Sequence, residues 1–579
     1  MFTPTIRDIA RGSGLAAALS LLAGCTGVLS GPGDSRGSAA PSIGNPTGNP
    51  SGGVGSGTGG AAAVGGAAAP GVDPGSAPMH RLNDTEYNNS VHDTLGVATA
   101  PADWSTGQGV LYGFDNIAEL LGMDTKTYAS FFGAASKLAD EVMATPALHS
   151  AYVSCDPATG AACAQTAISA VGLKLFRRPL SADELTTYAK VFTAGTKLGY
   201  SPDDALKHVL RAMLGSAEFL YRIELDPTPT SLVPHKLGAY ELGARLSYFL
   251  WSSAPDSALL AAAANGSLLD DKELGAQTDR LLSDPKGARF VTNFAGQWLG
   301  MRGLGGHAVE ADVFPTWSPA IAAAEAEEAY RYFNEFVRGS QPWSAFLKAD
   351  FNFVNPALAG IYGIKPPATD AMTLVQVTDD HRFGFLGLGA FLTISSYDHC
   401  IAPTLRARWI LDQLMCSPPA PPPGSLMIPP LDGDSGTAEV SQQNIRERLE
   451  AHRKNAICAS CHATFDAIGL ALENFDAIGQ YRATYPNGSA IDASGQLGDG
   501  PSFVGLQGLT DMLSSDSRLM SCVAEKLFIY GLGRGIADSD RPYLNQVTTA
   551  WRAGTPLLPT LIKGLVLADT FRFRRGEAQ

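Results

Sequence analysis

The chain has 579 residues, with 42 Lys and Arg against 56 Asp and Glu and a formal net charge of −14 at pH 7. That length exceeds what a single hydrophobic core serves and points to about three domains. The acidic balance, with no basic run to neutralise phosphates, excludes a nucleic-acid partner, while an apolar content of 45% allows large buried cores.

Arg7 and Arg11 precede a short apolar run at residues 15–22. This is the layout of an export signal, and the run is too short to span a bilayer. It ends in Leu22-Ala23-Gly24-Cys25, which resembles a bacterial lipobox. The resemblance implies cleavage before Cys25 and lipidation of its thiol, leaving the protein anchored to a membrane, in the periplasm or at the outer membrane. Residues 1–25 are therefore assigned to a lipoprotein signal with its lipidated Cys. No later stretch reaches the ~18 uninterrupted apolar residues of a membrane span, so the remainder is expected to be soluble. Residues 26–78, dominated by Gly, Ser, Ala, Pro, Asn, Thr and Val, cannot bury enough apolar surface to offset their ordering entropy and are expected to form a flexible tether.

Folding is expected to begin near His80. Asn83 with Glu86 three residues on is a capping box, and Tyr87, Val91 and Leu95 follow at helical spacing, with Gly96 as the stop. Residues 126–144 carry a stripe of Tyr128, Phe131, Ala135, Leu138 and Val142, and Ser181 with Glu184 caps another helix. These elements make an N-terminal helical domain over 79–226. A central helical domain over 227–416 has expected helices at 237–251, 256–264, 272–283, 286–300, 318–338, 356–362 and 403–416. Glu325, Glu327, Glu328 and Glu335 are expected on the solvated face of the 318–338 helix, opposite Ala322, Ala326, Tyr330, Phe333 and Phe336. The proline-dense 417–440 reads as a stiff linker. The fold class is thus mainly α, a multi-helical body followed at 441–579 by a small helical module whose Cys458-Ala459-Ser460-Cys461-His462 marks it as a cytochrome-c-like haem module.

That last module contains Cys458-Ala459-Ser460-Cys461-His462. Two thiols at this spacing can each add to a porphyrin vinyl group, and the following His is placed to ligate the iron proximally. The motif implies one covalent haem c held by Cys458, Cys461 and His462. Structural zinc would need a further suitably spaced ligand pair, and a thioredoxin-like redox pair would need a βαβ setting; the sequence offers neither. The outward N–H of His462 is expected to meet a nearby backbone carbonyl, with Asp466 as the second choice. Met512, Met520, His452 and His399 are the candidates for the opposite iron ligand, and an open position is the further possibility. A helix at 517–531 and loops over 487–508 complete the module. In an oxidising compartment spare thiols tend to pair, so Cys155 and Cys163 are expected to close a turn-rich loop and Cys416 to pair with Cys522, leaving Cys400 free.

From about residue 80 onward the chain resembles the planctomycete-type cytochrome c multidomain family. The resemblance is carried by residues 81–96, Gly113-Phe114-Asp115-Asn116, residues 176–184, Arg245-Leu246-Ser247-Tyr248-Phe249-Leu250-Trp251, residues 352–363, and residues 458–482 with Leu472-Glu473-Asn474-Phe475-Asp476. It implies an exported, haem-bearing, mostly helical protein and supplies no reaction. The chain departs from the family at Phe465-Asp466-Ala467, where Met-Asp-Pro is expected, and in having Cys400 before Pro403-Thr404-Leu405-Arg406. Three functions remain open: a lipid-anchored electron carrier serving a redox partner protein, a peroxidase-like or oxygenase-like haem enzyme, and a binding or scaffold protein with structural haem. No catalytic triad, phosphate-binding Gly loop or HExxH motif points to a hydrolase or kinase.

Overall fold

The computed structural model describes residues 73–75, 78–103, 109–225, 230–377, 381–420, 444–485, 487–498 and 500–576. The export signal, Cys25 and most of the tether lie outside them. Residues 73–75, assigned above to the tether, belong to the folded part: Arg575 pairs with Asp73 at 2.7 Å and Arg534 donates to the Pro74 carbonyl at 2.9 Å.

The fold is mainly α. Among the described residues its strands form four short antiparallel pairs, the longest joining Phe351–Val354 to Thr373–Gln376. Local signals set many helix ends. Asn83 and Glu86 form a reciprocal capping box on Asp84–Leu95, which Gly96 terminates in the left-handed conformation, and Ser181 and Glu184 do the same for Ala182–Lys197. On Thr125–Ala144 the stripe is buried from Phe131 onward, but Tyr128 is exposed. The helix expected at 286–300 contains a π-helical turn at Val291–Ala295, and the one expected at 403–416 becomes π-helical at Ile410–Leu414 after Pro403–Trp409.

Two large hydrophobic cores organise the chain. One gathers residues from Leu82 to Leu220 with Tyr248. The other runs from Phe114 and Leu237 through Trp298, Phe333 and Trp343 to Phe465, Leu527 and Phe571. The central and haem-motif regions therefore share one core, and the linker expected at 417–440 does not divide two. Its residues 421–440 lie outside the described set. The stretch 487–508 is also less irregular than expected, because Ser494–Gln496 and Ser502–Val504 pair and Gly505–Ser515 is helical.

Helix Pro319–Val337 corrects the expectation for its acids. Glu327 is exposed, but Glu325 and Glu328 are 0% exposed and face the core with Ala324, Tyr332 and Phe336. Ala-rich surfaces on several sides of this helix hide which stripe is buried, and the partners that satisfy Glu328 come from distant segments.

Candidate functional site

The motif lies inside a helix, Ala456–Leu470, preceded by the short helix Ile445–His452. The amide of Ala459 donates to the Asn455 carbonyl at 2.9 Å, so the helical ladder already runs through the pentapeptide. The segment continues unbroken to Leu470, because position 467 is Ala and keeps the backbone N–H that a proline would remove.

His462 is held by Asp466. The carboxylate Oδ1 lies 2.9 Å from the imidazole Nδ1, four residues along the same helix, with Asp466 0% and His462 13% exposed at the side chain. A carboxylate only accepts, so the proton sits on Nδ1 and the lone pair on Nε2. Arg453 faces the other oxygen, with its Nε 3.7 Å from Oδ2. This replaces the expected backbone carbonyl. Carbonyls within a helix are engaged in its own ladder, whereas a side chain four residues on stands on the same face.

The His452 ring packs perpendicular to His462, with centroids 4.6 Å apart, and Phe465 lies 5.0 Å from His462 on another side. Burial, followed by the neighbouring His462, lowers the basicity of His452, which favours its neutral ligand form. The structure places the other distal candidates in different surroundings. Met512 lines a cavity of about 260 Å3 with Leu411, Ile468, Leu497 and Leu513. Ile468 is six residues beyond His462, roughly 120° away around the helix, so that cavity opens on a different face. Met520 packs against the large core. His399 bonds Asp398, and with Glu310 their ligand atoms lie within 4.8 Å of one another.

Of the thiols, Cys458 is free and buried, and the side chain of Cys461 lies outside the described set. Disulfides join Cys155 to Cys163 and Cys416 to Cys522. Cys400 is also disulfide-bonded, not free. A thiol's partner is set by tertiary packing, which cysteine spacing alone does not determine; locally, the Tyr397 amide donates to the Cys400 carbonyl at 2.9 Å.

The residues present fit a haem iron in donor chemistry. An oriented imidazole and a buried thiol stand four residues apart on one helix face, His462 and Cys458. The two imidazoles, however, are in contact, so a porphyrin could enter between them only after they part.

The helix is clamped onto the body just behind this site. A Cβ at Gly469 would stand 1.9 Å from the Pro403 carbonyl oxygen, so only glycine permits this crossing. Arg406, 1% exposed, donates to the carbonyls of Leu472, Phe475 and Asp476 at 2.9, 2.8 and 2.6 Å, binding the segment that follows the helix. Glu473, also buried, pairs with Arg482 at 3.0 Å. The sequence alone does not reveal these roles of Glu473, Arg406 and Gly469.

Five domains described as proteins of unknown function match the chain in series: DUF1587 at 80–144, DUF1595 at 163–224, DUF1592 at 237–364, DUF1588 at 382–485 and DUF1585 at 499–571. The DUF1588 match, named PSCyt3, contains the pentapeptide. No curated protein and no solved structure matches the chain. Carrying these five serial domains in this order, the chain belongs to the planctomycete-type multidomain cytochrome c family.

Proposed function

We propose that the protein is an exported, lipid-anchored c-type cytochrome that carries one haem, attached through Cys458 and Cys461, and exchanges electrons with a periplasmic or surface redox partner. The observation that carries this reading is the 2.9 Å contact between His462 Nδ1 and Asp466. It fixes the tautomer and leaves Nε2 free to donate to a metal. When bound, haem supplies one-electron chemistry at its iron. The chain's own contribution is orientation and charge: Asp466 holds the imidazole, Arg453 offsets the carboxylate, and Phe465 limits water. His452, whose ring lies against that of His462, is the foremost candidate for a second donor to the iron.

A haem-dependent oxidative enzyme is the second reading, and the same contact favours it. A carboxylate on Nδ1 makes the imidazole a stronger donor and so stabilises more oxidised iron. The deciding experiment matures the full chain in a host with haem-attachment machinery. A pyridine haemochrome assay on the protein should give one covalent haem, lost in Cys458→Ser with Cys461→Ser. Absorption and paramagnetic resonance spectra should then be six-coordinate and lose one ligand in His452→Ala. Five-coordinate spectra in the unmodified protein with peroxide turnover would establish the enzyme, and absence of covalent haem would end both readings. Labelled lipid incorporated by the chain and lost in Cys25→Ala would test the anchor.

A further inference from the structure

Away from the haem motif, the large core contains two acids that the proposed function does not use. Glu325 and Glu328 stand one turn apart on helix Pro319–Val337, both 0% exposed. Their surroundings are unequal. Glu328 accepts from Asn352 Nδ2 at 2.6 Å and from the Tyr362 hydroxyl at 2.8 Å to each oxygen. Among the described residues Glu325 accepts only from the Thr393 hydroxyl, at 3.1 Å on Oε1, and its buried Oε2 meets no donor.

The other charged groups facing the pair are Arg382 and Asp476. The guanidinium of Arg382 lies 3.9 Å from the Tyr362 ring centroid and bonds the carbonyls of Gly387 and Gly479. Asp476 accepts from the amides of Ile478 and Gln480 at 3.0 and 2.8 Å. The field of Arg382 reaches both glutamates, while Arg406 and Arg482 offset Asp476. An ionised Glu325 here would be a buried charge with a single donor, which costs far more than a neutral acid.

We infer that Glu325 is a neutral carboxylic acid in the native protein and that the Glu325–Glu328 pair keeps at least one proton through neutral pH, locking the interface of Gly389–Ile394 with the body in a pH-dependent way. A proton needs no space, and there is little: a Cβ on Gly389 would lie 2.6 Å from both Glu325 Oε1 and the Tyr362 hydroxyl. A metal cation would need several oxygen lone pairs. Tyr362 and Asn352 instead turn hydrogens toward Glu328, and their remaining acceptors take the amides of Gly389 and Phe353, at 2.9 and 2.7 Å. Burial, then the neighbouring Glu328, pushes Glu325 well above the ordinary carboxylate range, in agreement with this assignment. Loss of the proton would set two negative charges one turn apart beneath the amide of Gly389, and the native state would loosen there first.

Infrared difference spectra of the full chain near neutral pD, unmodified minus Glu325→Gln, should show one neutral carboxylic-acid C=O band lost. Thr393→Val, which removes the donor to Glu325 found among the described residues, should keep that band and shift its frequency. The folding constant of the unmodified protein relative to Glu325→Gln should fall about tenfold per pH unit above the ordinary glutamate value. Should Glu325→Gln fail to fold, the Thr393→Val shift decides alone. No band change in either variant, or parallel pH curves, would overturn the inference. So would a loss of stability on chelation that Glu325→Gln abolishes, since that would place a cation at the pair.

Discussion

Asp466 and His462 meet across one turn of helix Ala456–Leu470, Oδ1 to Nδ1 at 2.9 Å, with the carboxylate wholly buried. A buried carboxylate that accepts the imidazole proton on one oxygen and faces Arg453 with the other acts on whatever the opposite nitrogen binds. Asp466→Asn keeps the shape and removes the charge. Partners of this kind are worth 10–100-fold in metal affinity. If that loss falls mainly on oxidised iron, the haem-loaded variant should show a reduction potential higher by about 60–120 mV, since a factor of ten is ~59 mV for one electron. Redox titration beside the unmodified protein reads the difference. An unchanged potential would mean that the carboxylate does not govern the imidazole.

Gly469 makes the second prediction. On an exposed helix, Gly to Ala would stabilise by up to about 1 kcal/mol. Here the added methyl would overlap the Pro403 carbonyl, with oxygen at 1.9 Å and carbon at 2.4 Å, and backbone cannot rotate aside as a side chain can. Gly469→Ala should therefore lower stability by about 3 kcal/mol, measured by denaturant unfolding. A gain would show that Pro403–Trp409 and Ala456–Leu470 do not cross here.

Legibility in the sequence divided by range. Capping boxes at Asn83 and Ser181 were readable because both partners lie within three residues, and the CxxCH spacing is itself local chemistry. Asp466 was within reach too, being four residues from His462, but the motif was not placed inside a helix, where that spacing acquires meaning. Glu325 and Glu328 were not readable. Their burial depends on Asn352, Tyr362 and Thr393, contributed by a strand and two helices 24 to 68 residues away. An Ala-rich helix permits more than one buried stripe, and only the packed neighbours choose.

The disulfides differ in the loops they close. Cys416 and Cys522 are 106 residues apart, Cys155 and Cys163 only 8. If the bonds act by restricting the unfolded chain, the long loop contributes about 4.8 kcal/mol and the short one about 2.5 kcal/mol. Replacing both cysteines of each pair by Ala should thus cost about 2 kcal/mol more for the long loop than for the short. Equal losses in paired denaturation curves would indicate that native contacts, not loop closure, set the contribution.

Buried carboxyl groups of opposite tendency make the final prediction, a stability maximum in mildly acidic solution. Glu86 is buried, which opposes its charge, but Arg222 and His80 outweigh that and lower it to about 2. Its contribution is present above the ordinary glutamate value of 4.5 and is lost as pH falls toward 2, up to about 3 kcal/mol. Burial raises Glu328 to about 7, against the bonds from Asn352 and Tyr362. It raises Glu473 equally, to about 7, despite the ion pair with Arg482. These two favour the folded state most below 4.5, and that advantage disappears as pH rises toward 7, on the order of 3 kcal/mol each. The opposing slopes meet near the ordinary glutamate value, so thermal unfolding of the full chain should be latest at about pH 4.5–5. Glu473→Gln should flatten the limb above that maximum, and Glu86→Gln the limb below it. A maximum above pH 7 would show that Glu328 and Glu473 are ionised in the native protein at no cost.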